Sequence, residues 1–319
     1  MIEEIGGYLE LELYDSPFLH ENALAFNTGR NCLAYLINKR KIKKIALPIF
    51  SCDVIKKVCM KYGVEIRWYT IDKHFQPCID KIDTDEWLYV INYYGLLDSK
   101  YMSALKERHI NVIFDQAQAY YQAPVENSDN IYTCRKYFGV PDGAFLYTNL
   151  CDNDVIEASE SRNDVGYLLG RFETNAADYY AEYVNHEKQL DVEPIKRMSR
   201  LTKNWLCAID YEKVKRIRNN NYEYLNEHLQ KYNKIEVAHV DGPYMYPFMA
   251  ENAHELRKRL IEQKIYVPVL WPNVLEDAET GTWDYRLADE ILPLPVDQRY
   301  NVRHMEIIVT SIIKLGRLG

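Results

Sequence analysis

No two of the chain's seven cysteines stand as a CxxC pair, and none of its eight histidines completes an HExxH, since "HEKQL" at 186–190 lacks the second histidine. Scattered thiols, odd in number, indicate neither a disulfide framework nor a zinc site. Reduced cysteines in a cytosolic core are expected instead. No uninterrupted apolar run approaches the ~18 residues needed to cross a bilayer. The opening "MIEEIGGYLELEL" has acids where a signal peptide carries bases, so a soluble cytoplasmic protein is expected. Positive charge is short as well. With 39 Lys and Arg against 47 Asp and Glu, the net charge is −8, which argues against a nucleic-acid footprint built on overall charge. Any anionic ligand must be held locally. A convincing GxGxxG after the first strand is missing too, which weakens a nicotinamide-binding reading. No internal repeat or low-complexity segment is visible.

What the 319 residues do contain, at 47% hydrophobic composition, is enough apolar surface for one large or two moderate cores. From residue 30 to about 150, short apolar runs alternate with helical stretches, the pattern of a parallel sheet with crossover helices. The expected strands are 44–50, 64–71, 87–94, 111–116 and 144–148, with a strand-like "IYT" at 131–133. "GRNCLAYLINKR" and "CDVIKKVCMKYG" carry apolar residues at three- and four-residue spacing, and the second ends on a glycine suited to a helix stop. Residues 163–231 read as mostly helical, with Val214, Ile217, Tyr222, Leu225 and Leu229 sharing one face of the clearest helix. After that the register changes to strand, helix, proline-broken strand and closing helix. The expectation is an α/β protein with a large domain over 1–230, carrying an N-terminal arm, and a smaller C-terminal α/β domain over 231–319.

Chemistry concentrates in three places. Asp115 closes a strand-like run in "FDQAQAYY", and the carboxyl ends of parallel strands are where such sheets place ligand groups. Lys136 follows in "RKYFGVPDGAF", beside a turn signal. "NTGRN" offers a glycine turn opening a helix, whose free amides and dipole suit a phosphate. An aspartate, a lysine and a phosphate site on one α/β scaffold match the three demands of pyridoxal phosphate: amides and hydroxyls for its phosphate, a carboxylate for its ring nitrogen, and an amine for its aldehyde.

These segments resemble the DegT/DnrJ/StrS-type sugar aminotransferases, of the aspartate-aminotransferase fold, also called fold type I of pyridoxal phosphate enzymes. "FNTGRNCLAYL" is similar to the family's phosphate-binding Ser-Gly-Thr turn and helix, "LPIFSCDVI" to the strand and turn over the cofactor, and "VINYYGLLD" to its Val-His-Leu-Tyr-Gly. "FDQAQAYY" resembles Asp-x-Ala-His/Gln-Ala, and "RKYFGVPDGAF" resembles the lysine segment, with Asp142, Gly143 and Ala144 on its Glu, Gly and final Gly. "ILPLPVDQRYNVRHMEII" is similar to the closing Leu-Pro-Leu and helix.

The resemblance implies a large domain with a mostly parallel sheet flanked by helices, and an aminotransferase moving an amino group, from glutamate, to a nucleotide-linked keto sugar in surface polysaccharide or amino-sugar biosynthesis. It implies Lys136 as the Schiff-base lysine and proton carrier, Asp115 on the pyridinium nitrogen, and Gln118 on the phenolic oxygen. Thr28, Gly29 and Arg30 would surround the phosphate, with Thr133 as a further hydroxyl. Cys52 stands where relatives stack an aromatic on the ring, so Phe50 or another aromatic would cover it. Asn92 replaces the usual histidine and Arg30 a threonine. "PIKRMSRLTKNWL" falls where relatives reach into the neighbouring subunit, which implies a two-fold dimer with shared active sites and Arg200 as the residue to test. In the sugar dehydratase branch of the fold a histidine replaces the lysine, so Lys136 counts against that activity. A non-catalytic relative binding cofactor or sugar nucleotide is disfavoured by the retention of both Asp115 and Lys136.

Overall fold

A computed structural model describes residues 5–316. Its central sheet comprises β1 (Leu24–Phe26), β2 (Lys44–Pro48), β3 (Glu65–Ile71), β4 (Pro77–Cys78), β5 (Glu86–Ile91), β6 (Val112–Asp115), β7 (Asp129–Thr133) and β8 (Ala144–Tyr147). The spatial order is β1-β8-β7-β6-β5-β2-β3-β4. β3, β2, β5, β6 and β7 are parallel. The edge strands β1 and β4, and β8 inside β1, run antiparallel to their neighbours. The central strands are nearly continuously buried, as expected where helices cover both faces of a sheet. The short edges β1 and β4 were not legible in the periodicity. At three and two residues they are too short to show a period of their own.

The crossover helices α1 (Gly29–Arg40), α2 (Asp53–Lys61) and α3 (Ser99–Arg108) connect the parallel strands. Thr28 caps α1, its Oγ1 accepting from the Asn31 amide at 3.2 Å. At the other end Lys41 turns left-handed (φ 54°) and its amide returns to the Ile37 carbonyl. Arg40 in the last turn pairs with buried Asp129 at the start of β7 at 2.9 Å. α1 is thereby pinned at both ends, which fixes where its first turn points. Gly63, in the left-handed region at φ 66°, follows α2 and serves as the expected stop.

Beyond the sheet come α4 (Gly166–Glu173), α5 (Tyr180–Val192), α6 (Arg200–Cys207) and α7 (Tyr211–Leu229), in the region read as helical. The remaining chain forms β9 (Met245–Met249), α8 (Ala253–Glu262), α9 (Val274–Asp277), α10 (Trp283–Glu290), β10 (Ile291–Pro295) and α11 (Val302–Gly316). β9 and β10 pair antiparallel as a two-stranded ribbon, with Pro293 opposite Pro247. Prolines are tolerated there because each strand is an edge. The ribbon, α8 and α11 share a core with Tyr222, Leu225 and Leu229 of α7. On the same helix Val214 and Ile217 are only half-buried, while Arg218 is buried.

Candidate active site

β6 ends on Asp115, which sits in register with Ile91 of β5 and Ile131 of β7 at the carboxyl edge of the sheet. Its carboxylate is half-buried. Oδ2 accepts from the Tyr89 hydroxyl at 2.9 Å and Oδ1 from the Ala117 amide at 2.9 Å. Burial, and then the charge of Asp115, push the Tyr89 phenol well up, so it stays a donor. Three residues on, Gln118 is 1% exposed. Its Oε1 accepts from the Tyr94 amide at 2.7 Å, which fixes the amide orientation and leaves Nε2 a donor without a partner among the described residues. Tyr94 holds a left-handed backbone (φ 55°) while fully buried. Strain of this kind persists only where the surroundings enforce it.

The first turn of α1 faces the same edge. Asn31 and Cys32 donate back to Thr28, while the Gly29 and Arg30 amides find no partner among the described residues, as the first turn of a helix requires. A Cβ placed on Gly29 would meet only Ile131 Cγ2 at 3.6 Å, an ordinary contact. Nothing among the described residues demands glycine at 29. Close approach of a ligand to its amide would. The Arg30 guanidinium pairs with Asp191 of α5.

Lys136 lies in the loop joining antiparallel β7 and β8. It is exposed, and its ammonium forms no hydrogen bond or ion pair among the described residues; Nζ stands 5.7 Å from the centroid of the Tyr244 ring. Burial pushes the Cys52 thiol up, opposed by the Val54 amide and then by the charges of Lys136 and Arg30, so these two cations share one electrostatic neighbourhood with the N-terminus of α2. The loop is held from below. Buried Asp142 accepts from the Ser199 amide at 2.8 Å, the Ser199 hydroxyl at 2.7 Å and the Thr202 hydroxyl. Gly143 adopts φ 116°, where a Cβ would stand 3.0 Å from Thr202 and 3.1 Å from both Cys134 and Met198. Glycine is the residue that fits.

Other expected residues have different surroundings. The Phe50 ring is 1% exposed, stacked on Tyr93 at 5.3 Å and edge-on to Trp271 at 4.7 Å, so its faces are already covered by the chain. Cys52 is the half-buried N-cap of α2. Thr133 Oγ1 donates to the Gly143 carbonyl at 3.4 Å, which ties its hydroxyl to the loop. Asn92 is fully buried, donates to Gln116 and Gln122 at 2.8 and 2.7 Å, and accepts from the Leu97 amide at 2.9 Å. It shapes the turn carrying Tyr94. Arg200 is 76% exposed and faces Glu10 of the N-terminal arm at 3.8 Å.

Sequence reading missed the acidic face of α5. Glu187 pairs with Arg135 and Asp191 with Arg30, placing one carboxylate per helical turn against cations that adjoin the lysine and the α1 turn. Their i, i+4 spacing was visible, but the partners lie 52 and 161 residues away. A groove of about 480 Å³, lined by Phe138, Trp205, Val214 and Gln298 among others, flanks the lysine loop without including Asp115, Gln118 or Lys136.

No family model matches the sequence, and no curated protein matches it. Solved structures do. The sugar aminotransferase CalS13 from Micromonospora echinospora is 16% identical with a TM-score of 0.63, over 92% of this chain and 87% of that one. A DegT DnrJ EryC1 StrS aminotransferase from Brucella abortus is 15% identical with a TM-score of 0.62, over 92% and 85%. Spr1654 from Streptococcus pneumoniae, a candidate sugar aminotransferase solved in its PMP form, is 11% identical with a TM-score of 0.67, over 96% and 93%. At such identities the likeness shows the fold, and the chain has the fold of these aminotransferases.

Proposed function

We propose that the chain is a pyridoxal phosphate-dependent aminotransferase of the DegT/DnrJ/StrS kind, moving an amino group from glutamate to a keto sugar carried on a nucleotide. The observation that carries the reading is one edge of the sheet presenting α1 amides without a partner among the described residues, a half-buried carboxylate at 115, an oriented amide donor at 118 and an ammonium at 136 that pairs with none of the described residues. Neighbours of the same fold solved in PLP and PMP forms support it.

The residues fit the cofactor's three demands. The Gly29 and Arg30 amides, with the Thr28 hydroxyl hydrogen left over from capping, would hold the phosphate. Asp115, oriented by Tyr89 and Ala117, would keep the ring nitrogen protonated. Gln118 Nε2 would donate to the phenolic oxygen. When bound, pyridoxal phosphate supplies an aldehyde that receives the amino group and a ring that withdraws electrons from the donor's α-carbon. Lys136 Nζ would hold the aldehyde carbon and, once freed, take the proton from that α-carbon. A two-fold dimer completes the reading, supported by apolar side chains left uncovered on the arm and on α4, where Leu9 is 95% and Phe172 89% exposed.

The test is to purify the protein with pyridoxal phosphate, reduce it with borohydride and locate the modified peptide by mass. Label on Lys136, with bleaching of the visible band by glutamate before reduction, is expected. An unlabelled chain would overturn this reading and favour a binding protein without catalysis.

A further inference from the structure

Among the described residues the largest fully buried side chain is a cation, Arg218, on α7. No carboxylate pairs with it among the described residues; Asp297, whose charge bears on it, is itself held by Arg299 at 2.6 Å. A buried guanidinium without a counter-charge is expensive, and an apolar residue would pack the same space at less cost. Its hydrogen bonds show what it is used for. Nη1 donates to the carbonyls of Pro243 and Tyr244 at 2.9 and 3.3 Å, Nε to Gln298 Oε1 at 2.9 Å, and Nη2 to the Tyr137 carbonyl at 3.2 Å. Gln298 Nε2 converges on that same Tyr137 carbonyl at 2.7 Å. The Arg218 guanidinium also covers the Tyr137 ring at 4.4 Å, and the Tyr137 hydroxyl reaches the Gln118 carbonyl at 2.8 Å.

Tyr137 is thus gripped at its carbonyl, its ring face and its hydroxyl, and it is the residue next to Lys136. Tyr244, whose carbonyl shares the same guanidinium, is the ring beneath Lys136 Nζ. We propose that Arg218, with Gln298, is a positioning residue that sets the place of Lys136 relative to Gln118 and the Tyr244 ring. The proposal rests on the reading of Lys136 as the cofactor-bearing lysine. The Arg218 guanidinium is committed to Gln298 and three backbone carbonyls, and would touch neither cofactor nor substrate. It acts through the backbone of the residue beside the lysine, and displacement of a proton-carrying amine by about 1 Å is enough to lower a rate by about 10²-fold.

The experiment compares wild type, Arg218→Lys, Arg218→Gln and Gln298→Ala, each loaded with pyridoxal phosphate. Three quantities are read: borohydride labelling at Lys136, the single-turnover rate of band bleaching by L-glutamate or L-alanine, and the amino acid concentration giving half that rate. Label is expected at Lys136 throughout, with the rate reduced about 10²-fold in Arg218→Gln and less in Arg218→Lys, whose ammonium keeps one bond of the fork. The half-saturating concentration should stay within about twofold of wild type, because the lost interaction acts on the proton transfer and not on donor binding. Arg218→Lys combined with Gln298→Ala should be less impaired than the product of the two single effects, since both act on one carbonyl. Should Arg218→Gln fail to fold, Gln298→Ala and Arg218→Lys carry the comparison. Variants that are labelled and react at the wild-type rate, with only a lower melting temperature, would make the cluster a merely architectural part and overturn the proposal alone. A wild type without label at Lys136, or with a band that neither amino acid bleaches, would overturn the functional reading and the proposal with it.

Discussion

His20 allows a measurable prediction about how the carboxyl edge of the sheet is held. The ring is 3% exposed and wedged among Tyr120, Tyr132, Phe145 and Tyr147 at centroid distances of 4.3–5.6 Å. Nε2 lies 2.8 Å from the Tyr120 carbonyl, two residues past Gln118, and Nδ1 lies 3.1 Å from the Tyr147 hydroxyl. Since a carbonyl can only accept, Nε2 carries the proton and Nδ1 accepts from Tyr147. Burial lowers the imidazole from 6.5 to about 4, against the smaller raising effect of the Tyr120 carbonyl. Above pH 6.5 the ring is neutral in both folded and unfolded chains, and its contribution to stability is fully present. Between pH 6.5 and about 4 the unfolded chain takes up a proton that the native chain refuses, so stability falls with pH. At about 1.4 kcal/mol per pH unit, the loss by pH 4 amounts to about 3 kcal/mol, and by pH 5 to about 2 kcal/mol. The assay is urea unfolding of wild type and His20→Gln from pH 7.5 downwards. The stability difference between the two proteins should shrink by these amounts in favour of the variant as pH falls. Parallel curves across that range would refute the reasoning, because they would mean that the native ring accepts its proton as readily as the unfolded one.

Gly143→Ala should destabilise by about 2–5 kcal/mol, adding strain at a φ of 116° to crowding against Thr202, Cys134 and Met198; a shift of the urea midpoint corresponding to less than 1 kcal/mol would contradict the geometry. Gly29→Ala should behave oppositely, leaving the melting temperature unchanged or raised, since alanine is the better helix former by up to about 1 kcal/mol, while weakening pyridoxal phosphate binding in a fluorescence titration. Unaltered affinity in that variant would remove the α1 turn from the phosphate site. Asp142→Asn should cost about 1–3 kcal/mol by leaving one of the Ser199 or Thr202 donors facing an amide NH₂, measured by chemical unfolding at pH 7.

Much of the sheet was legible because strand and helix periods report local burial. Val112–Asp115 and Gly29–Arg40 emerged close to their expected limits, and the N-terminal turn of α1 and the aspartate closing β6 follow from short-range signals that need no knowledge of the partner strand. Phe50 shows the limit of such signals. It closes the expected strand 44–50, but whether its face meets a ligand or Tyr93 and Trp271 depends on elements 43 and 221 positions away.

From residues alone came the alternation that builds the sheet, the phosphate-suited glycine turn at 27–31, and Asp115 and Lys136 as the groups worth testing. Tertiary structure decided how each cation is engaged: Arg30 and Arg135 are tied to α5, Lys136 pairs with none of the described residues, and Arg218 is drawn inside to grip the Tyr137 carbonyl. The physical reason is that periodicity along a chain encodes which side of an element is buried, whereas a charge or a hydrogen-bond donor acquires its role from groups brought within about 3 Å by the packing of distant segments.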